Sequence, residues 1–133
     1  MPYVTDTHAL VWYMVNDLKL SQKAKGIFQK ADNMEEQVFI PCIVFFELLY
    51  LTEKKKIDAG FNKFLSLVSI SKNYRIEPLC LPIIKKCKEI PRELVKDPWD
   101  RLIIATSIHL NYPLISRDTS LRNVNLTGLK LIW

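Results

Sequence analysis

The chain has 133 residues, 49% of them apolar, with 19 Lys and Arg against 14 Asp and Glu, a net charge of +5. That length and apolar share fit one domain, residues 1–133, with a real core, and Pro and Gly are too sparse and scattered for a linker or disordered tail. Every apolar run breaks well before the roughly 18 residues of a membrane span, and the start lacks a basic region followed by an apolar stretch, so the cytoplasm is the expected compartment.

In chain order, residues 2–6 read as a short buried strand and 7–15 as a helix. "SQKAKGIFQKAD" places Ala24, Ile27, Phe28 and Ala31 at helical spacing behind Ser21, a helix-capping residue. "QVFIP" is a second strand stopped by Pro41, which suits the first position of the helix that follows. That helix, "CIVFFELLYLTEKKK", is apolar on nearly every side until Thr52, so its first three turns are expected to be buried. "DAGFNKFLSLVSIS" repeats Phe61, Phe64, Leu65 and Val68 along one helical face, and "YRIEPL" is a third strand. "LPIIKKCKEI" aligns Ile83, Cys87 and Ile90 on one side of a helix. "DPWDRLIIATSIHL" has Asp97 as cap, Pro98 as first helical residue and a face of Trp99, Leu102, Ile103, Thr106 and Leu110. "YPLIS" is a strand leading into a single helical turn, "RDTSL", and "LKLIW" is a last strand. Short apolar strands alternating with helices, without tight-hairpin signals, define an α/β fold: a parallel sheet with helices on both faces.

Cys42, Cys80 and Cys87 are odd in number and lack zinc or redox-pair spacing. Each lies in an apolar-periodic segment, where a free Cys is expected to act as a small buried hydrophobe. The basic excess, largely in "TEKKKID" and "IIKKCKEI", favours polyanionic partners but is informative only beside a site.

In an open parallel sheet, ligands bind at the carboxyl ends of the strands. Asp6 follows "PYVT" and Asp118 follows "PLISR" at that edge, while Asp97 and Asp100 open the helix at Pro98. Capping explains each of them singly, and Asp97 with Asp100 has the spacing of a capping box with Asp in place of Glu. If the strands lie side by side, the carboxylates converge, and their repulsion opposes folding unless a cation sits among them. Glu47 fits the bland account worst. Its helical neighbours are Ile43, Val44, Tyr50 and Leu51, and a lone carboxylate buried there is costly unless paired or metal-bound. A Lys or Arg partner, or exposure to solvent, would satisfy it; a water-filled cleft shared with the Asp residues accounts for it best. Oxygen donors from separate segments, with no His or Cys cluster, describe a site for a hard cation such as Mg2+ or Mn2+. The usual work of such a site is phosphoryl chemistry. In a basic chain it suggests a nuclease whose Lys and Arg hold backbone phosphates.

"VTDTHALVWYM", "PCIVFFELLYL", "DPWDRLIIATSIHLNYPLISRD" and the terminal "LKLIW" resemble PIN-domain proteins, above all the VapC type of ribonuclease toxin from toxin–antitoxin pairs. "DPWDRLIIATS" followed by "PLISRD" is the most specific part, and the similarity runs from Pro2 to Trp133. The resemblance implies a sheet of about five parallel strands, a Mg2+-dependent endoribonuclease (Mn2+ a possible substitute), an RNA substrate, a homodimer and an antitoxin that occludes the cleft. It carries the acidic set onto Asp6, Glu47, Asp100 and Asp118 as metal ligands and catalytic residues. Asp97 matches the extra Asp of the "DPxDR" variant, in a supporting or capping role, and Ser116 a small hydroxyl residue that supports the last acidic position.

Other residues have simpler expectations. Arg117 and Arg122 lie near the proposed cleft, where phosphate contact and plain solvation are equally good accounts. His8 could approach a substrate phosphate, although a satisfied or exposed His on the first helix is the simpler account, and His109, near a helix end where a cation suits the dipole, is assigned no function. Arg101, four residues after Asp97, suits a local salt bridge, and Trp12, Trp99 and Trp133 suit core or interface packing. Three alternatives compete with the toxin: a PIN nuclease outside a toxin system, a PIN scaffold that binds RNA or protein without cutting, and a haloacid-dehalogenase-type phosphotransferase. The filled acidic positions argue against the scaffold. His8, where the phosphotransferase needs a second Asp, argues against the last.

Overall fold

The computed structural model describes residues 1–56, 60–118, 121 and 126–133. Within them, β1 (Tyr3–Thr5), β2 (Val38–Pro41), β3 (Tyr74–Glu77), β4 (Leu114–Ile115) and β5 (Leu131–Ile132) form one sheet, ordered β3-β2-β1-β4-β5, with every pair parallel. The described helices are α1 (Thr7–Met14), α2 (Gln22–Asp32), α3 (Cys42–Glu53), α4 (Phe61–Ile70), α5 (Leu81–Cys87) and α6 (Pro98–Leu110). Consecutive strand residues point to opposite faces, and in β1 both Val4 and Thr5 are fully buried. Both faces of the sheet centre are therefore covered, as the alternating pattern predicts.

The order of the strands sets the place of the site. The chain builds outward from β1 through β2 to β3, then returns to lay β4 on the other side of β1. Val4 stands across from Phe39 on one side and Leu114 on the other. The winding thus reverses between β1 and β4, and the crevice at their carboxyl ends is where such sheets take ligands.

Helix ends follow their local chemistry. Ser21 accepts a hydrogen bond from Ala24 N at 3.1 Å and opens α2, whose buried Ala24, Ile27, Phe28 and Ala31 form the expected stripe. α6 starts with Asp97 accepting from Trp99 N at 2.8 Å and Asp100 N at 3.2 Å. It closes on Asn111, which adopts the left-handed conformation at φ 57° and ψ 40°, a role Asn fills almost as well as Gly. β3 stops at Glu77 because Pro78 has no N–H for the ladder. Pro41 ends β2 and caps α3 rather than opening it.

Several sequence expectations are corrected. α3 ends at Glu53, and its first three turns are not wholly buried: Cys42 is exposed, Phe46 is 52% exposed and Tyr50 50%. One face of an apolar helix is thus left on the surface. Cys42 is not a core residue, and Cys80 and Cys87 are only half-buried. Arg101 does not bridge to Asp97. Its Nη2 donates to the carbonyls of Cys87 at 2.6 Å and Ile90 at 3.0 Å, so the guanidinium satisfies the free C-terminal end of α5. Trp99 is exposed against Phe46, with ring centroids 5.3 Å apart. The turn expected over 117–121 lies partly outside the described residues. No helix among the described residues is long and apolar enough to cross a membrane.

Candidate active site

At the switch point a cavity of about 500 Å3 opens, lined among others by Asp6, Asp100, Ser116, Arg117 and Asp118. β1 delivers Asp6, β4 delivers Ser116 to Asp118, and the first turn of α6 delivers Asp100. Segments distant in sequence thus bring three carboxylates to one opening. Glu47, on α3, does not line it, but its charge reaches both Asp6 and Asp100. Asp97 is exposed and serves α6 as its cap, close enough to act electrostatically on Asp100. Arg122 lies outside the described residues.

Asp6 turns out to be both a cap and a member of the cluster. Its Oδ1 accepts from Ala9 N at 2.8 Å, opening α1. Burial raises its pKa; the Ser116 hydroxyl, the Ala9 N–H and the charge of His8 pull it back, and Glu47 pushes it up again. Ser116 joins two acidic residues, since its hydroxyl hydrogen-bonds the Asp6 side chain and its Oγ accepts from Asp118 N at 3.2 Å. Glu47 has the buried Thr7 hydroxyl, which donates to its Oε1 at 2.7 Å. Thr7 was not singled out in the sequence; a polar residue just after Asp6, on an otherwise apolar helix face, was the available signal.

Asp100 records the convergence most directly. Its pKa is raised to about 7, first by burial and then by Asp97, Glu47, Asp6 and Asp118. Each of these disfavours the ionised carboxylate, and a cation placed among them would favour it. The donors are hard oxygens, which suits a divalent cation. Among the described residues no three His, Cys, Asp or Glu side chains stand close enough to form a closed ligand set. A cation such as Mg2+, which keeps several of its own waters, does not need one.

With the fold and this acidic crevice established, the class follows: a model of the PIN domain matches residues 3–126, and the chain belongs to the PIN domain family. It is similar, at 26% identity over 128 residues, to Ribonuclease VapC22 of Mycobacterium tuberculosis, across 96% of this chain and 95% of that one. Its fold is that of VapBC2 from Rickettsia felis bound to a DNA fragment from their promoter, with a TM-score of 0.72, 20% identity and coverage of 99% and 98% of the two chains. DNA-bound VapBC from Salmonella typhimurium superposes with a TM-score of 0.69 at 14% identity, covering 99% and 97%. VapBC-1 from nontypeable Haemophilus influenzae does so at 0.68 and 16%, with the same coverage. At such identities the structural likeness is one of fold. Membership in this family points, in general terms, to a divalent metal ion.

Proposed function

We propose that this protein is a Mg2+-dependent endoribonuclease that hydrolyses RNA phosphodiester bonds, with Asp6, Glu47, Asp100 and Asp118 as its acidic set, and that it is the toxin of a toxin–antitoxin pair. The carrying observation is the convergence of Asp6, Asp100 and Asp118 on one cavity, with burial and nearby carboxylates raising the Asp100 carboxyl to about 7. Such a cluster is unfavourable alone and becomes favourable around a cation. The family and the ribonuclease relative support the direction of the chemistry.

Asp6, Glu47, Asp100 and Asp118 are the residues that would hold the ion, with Mn2+ a possible substitute. When bound, the ion supplies Lewis acidity at the phosphate and charge for the leaving oxygen. The chain supplies position. Thr7 fixes the Glu47 carboxylate by its hydroxyl, and Ser116 ties Asp6 to the backbone of Asp118. Asp97 holds the first turn of α6, and so Asp100, by two backbone hydrogen bonds. Arg117, exposed at the cavity, meets the phosphate backbone; the same role for Arg122 rests on its sequence position alone. This placement is what metal-assisted phosphodiester hydrolysis requires of a protein.

The solved neighbours are VapBC toxin–antitoxin complexes, which supports an antitoxin partner covering the cleft and a cytoplasmic setting. The exposed Phe46, Tyr50, Leu81 and Ile84 support pairing of two copies. The experiment is cleavage of RNA by purified protein with Mg2+, with EDTA, and with Asp100→Asn. Activity lost in EDTA and in the variant is the expected result; undiminished cutting in EDTA would remove the metal from the mechanism.

A further inference from the structure

Three carboxylates at a cavity repel the very polyanion that has to reach them. Something at the mouth has to offset that repulsion, and the structure has cations gathered around one indole there. Trp12, half-buried on α1, lines the cavity with His8 and Arg117. The Arg117 guanidinium carbon lies 5.6 Å from the Trp12 ring centroid, and Lys19 Nζ lies 5.8 Å from it. His8, one turn earlier on the same helix, has its ring centroid 5.6 Å from that of Trp12. Trp133 meets the indole edge-on at 5.9 Å, which keeps the ring from turning away.

Arg117 sits between Ser116 and Asp118, so it would be expected to pair with a neighbouring carboxylate. Yet the ion pairs formed among the described residues are Met1 with Glu36, Lys19 with Asp17, and Lys86 with Glu89. Arg117 lies over an aromatic face instead, which holds a guanidinium by its quadrupole without neutralising it. Its charge stays available to a ligand.

We infer that Trp12 is a positioning residue: it holds Arg117, with Lys19 and His8 beside it, as a clamp for the sugar–phosphate backbone of the RNA entering the acidic cavity. This rests on the nuclease reading above and deepens it, because it assigns the phosphate-binding side of the cavity to an aromatic residue that makes no chemistry of its own. The net charge of +5 then has a local focus beside the carboxylates rather than a diffuse effect.

The test measures binding and cleavage separately. A short single-stranded RNA is bound to the full chain in EDTA, where cutting is absent, by fluorescence anisotropy across a salt series; kcat and KM are then taken with Mg2+. Trp12→Leu is expected to weaken binding about three- to thirtyfold, the span of a cation–π contact, and to lower the slope of log affinity against log salt by about one. KM should rise by the same factor with kcat within about twofold. Trp12→Phe, which keeps an aromatic face, should recover most of the loss, and Trp12→Leu should add little in an Arg117→Ala background. Lys19→Ala should lower the salt slope even if Trp12→Leu fails to fold. A wild-type salt slope in both Trp12→Leu and Lys19→Ala overturns the clamp, as does a Trp12→Leu loss confined to kcat. A Trp12→Leu change in sedimentation without a change in RNA affinity overturns it too, by assigning the indole to a protein surface. If wild type cuts no RNA but binds it with a Trp12-dependent slope, the clamp stands and the nuclease reading fails.

Discussion

Asp32 and Asp100 both sit at cavities, and they have opposite characters. Asp32 lines the larger one, about 650 Å3, and is the single carboxylate among the described residues lining it. Two phenols answer it: Tyr13 donates to Oδ2, and Tyr74 donates to Oδ1 at 2.9 Å. Burial and the Asp32 charge push both phenols above their ordinary pKa, so they remain donors at any working pH. Asp100, at the smaller cavity, has four carboxylates acting on it and a pKa raised to about 7. The size of a cavity and the presence of an acid therefore do not separate an aspartate held by donors from one crowded by like charges. The sign of its neighbours does.

The contrast can be broken first by activity. Asp100→Asn and Asp6→Asn should each lower RNA cleavage in Mg2+ by about a hundredfold or more, whereas Asp32→Asn should leave it within about twofold. Equal losses at Asp32 and Asp100 would erase the distinction. Thr7→Val, which strips Glu47 of its hydroxyl donor at nearly constant volume, should cost about ten- to a hundredfold in the same assay. Wild-type rates there would remove Glu47 from the machinery or show it held by other means.

Stability sharpens the comparison from the other side. Asp32→Ala takes the acceptor from the Tyr13 hydroxyl and leaves the Tyr74 hydroxyl with the Phe28 carbonyl at 3.3 Å, and should cost about 1–3 kcal/mol in urea denaturation. Asp6→Asn without metal should be neutral or stabilising, because it removes one of several like charges while keeping a good cap. The smallest effect is one of pH. In metal-free protein the folded chain holds a proton on Asp100, at about 7, that the unfolded chain releases from the ordinary value of 3.8. Stability contributed by that proton is full below about pH 4 and lost as pH rises to about 7. Solvent screening of this half-buried group limits the change to about 1–2 kcal/mol. The loss should be absent in Asp100→Asn, and a wild-type melting temperature equally flat across that window would contradict the electrostatic picture.

The α/β class, the element order and the meeting of Asp6, Asp100 and Asp118 at one opening were legible because periodicity and strand-end position are local properties; Glu47, expected in the same cleft, stands outside its lining. "DPWDRLIIATS" shows its cap, its first-turn proline and its buried face without help from the rest of the chain. The bend of Arg101 to α5 was not legible: Asp97 is its sequence neighbour at helical spacing, and the carbonyls of Cys87 and Ile90 reach it only after α5 packs on α6. The exposed face of α3 was hidden for the same reason, since an apolar helix shows which side is covered only once its neighbours are placed. Trp12 read as packing because an indole on a helix usually is. Its nearness to Arg117 depends on β4 lying beside β1, which no short stretch of sequence encodes.

The central claim is that the carboxylates at the β1–β4 switch point form one cation site. It is tested most directly by thermal melts of wild type and Asp6→Asn, each with and without millimolar Mg2+. Wild type should gain stability by mass action, about 2.7 kcal/mol at a hundredfold excess over the dissociation constant, and the Asn variant should gain clearly less. Equal gains in the two proteins, or no gain in either, would contradict the account.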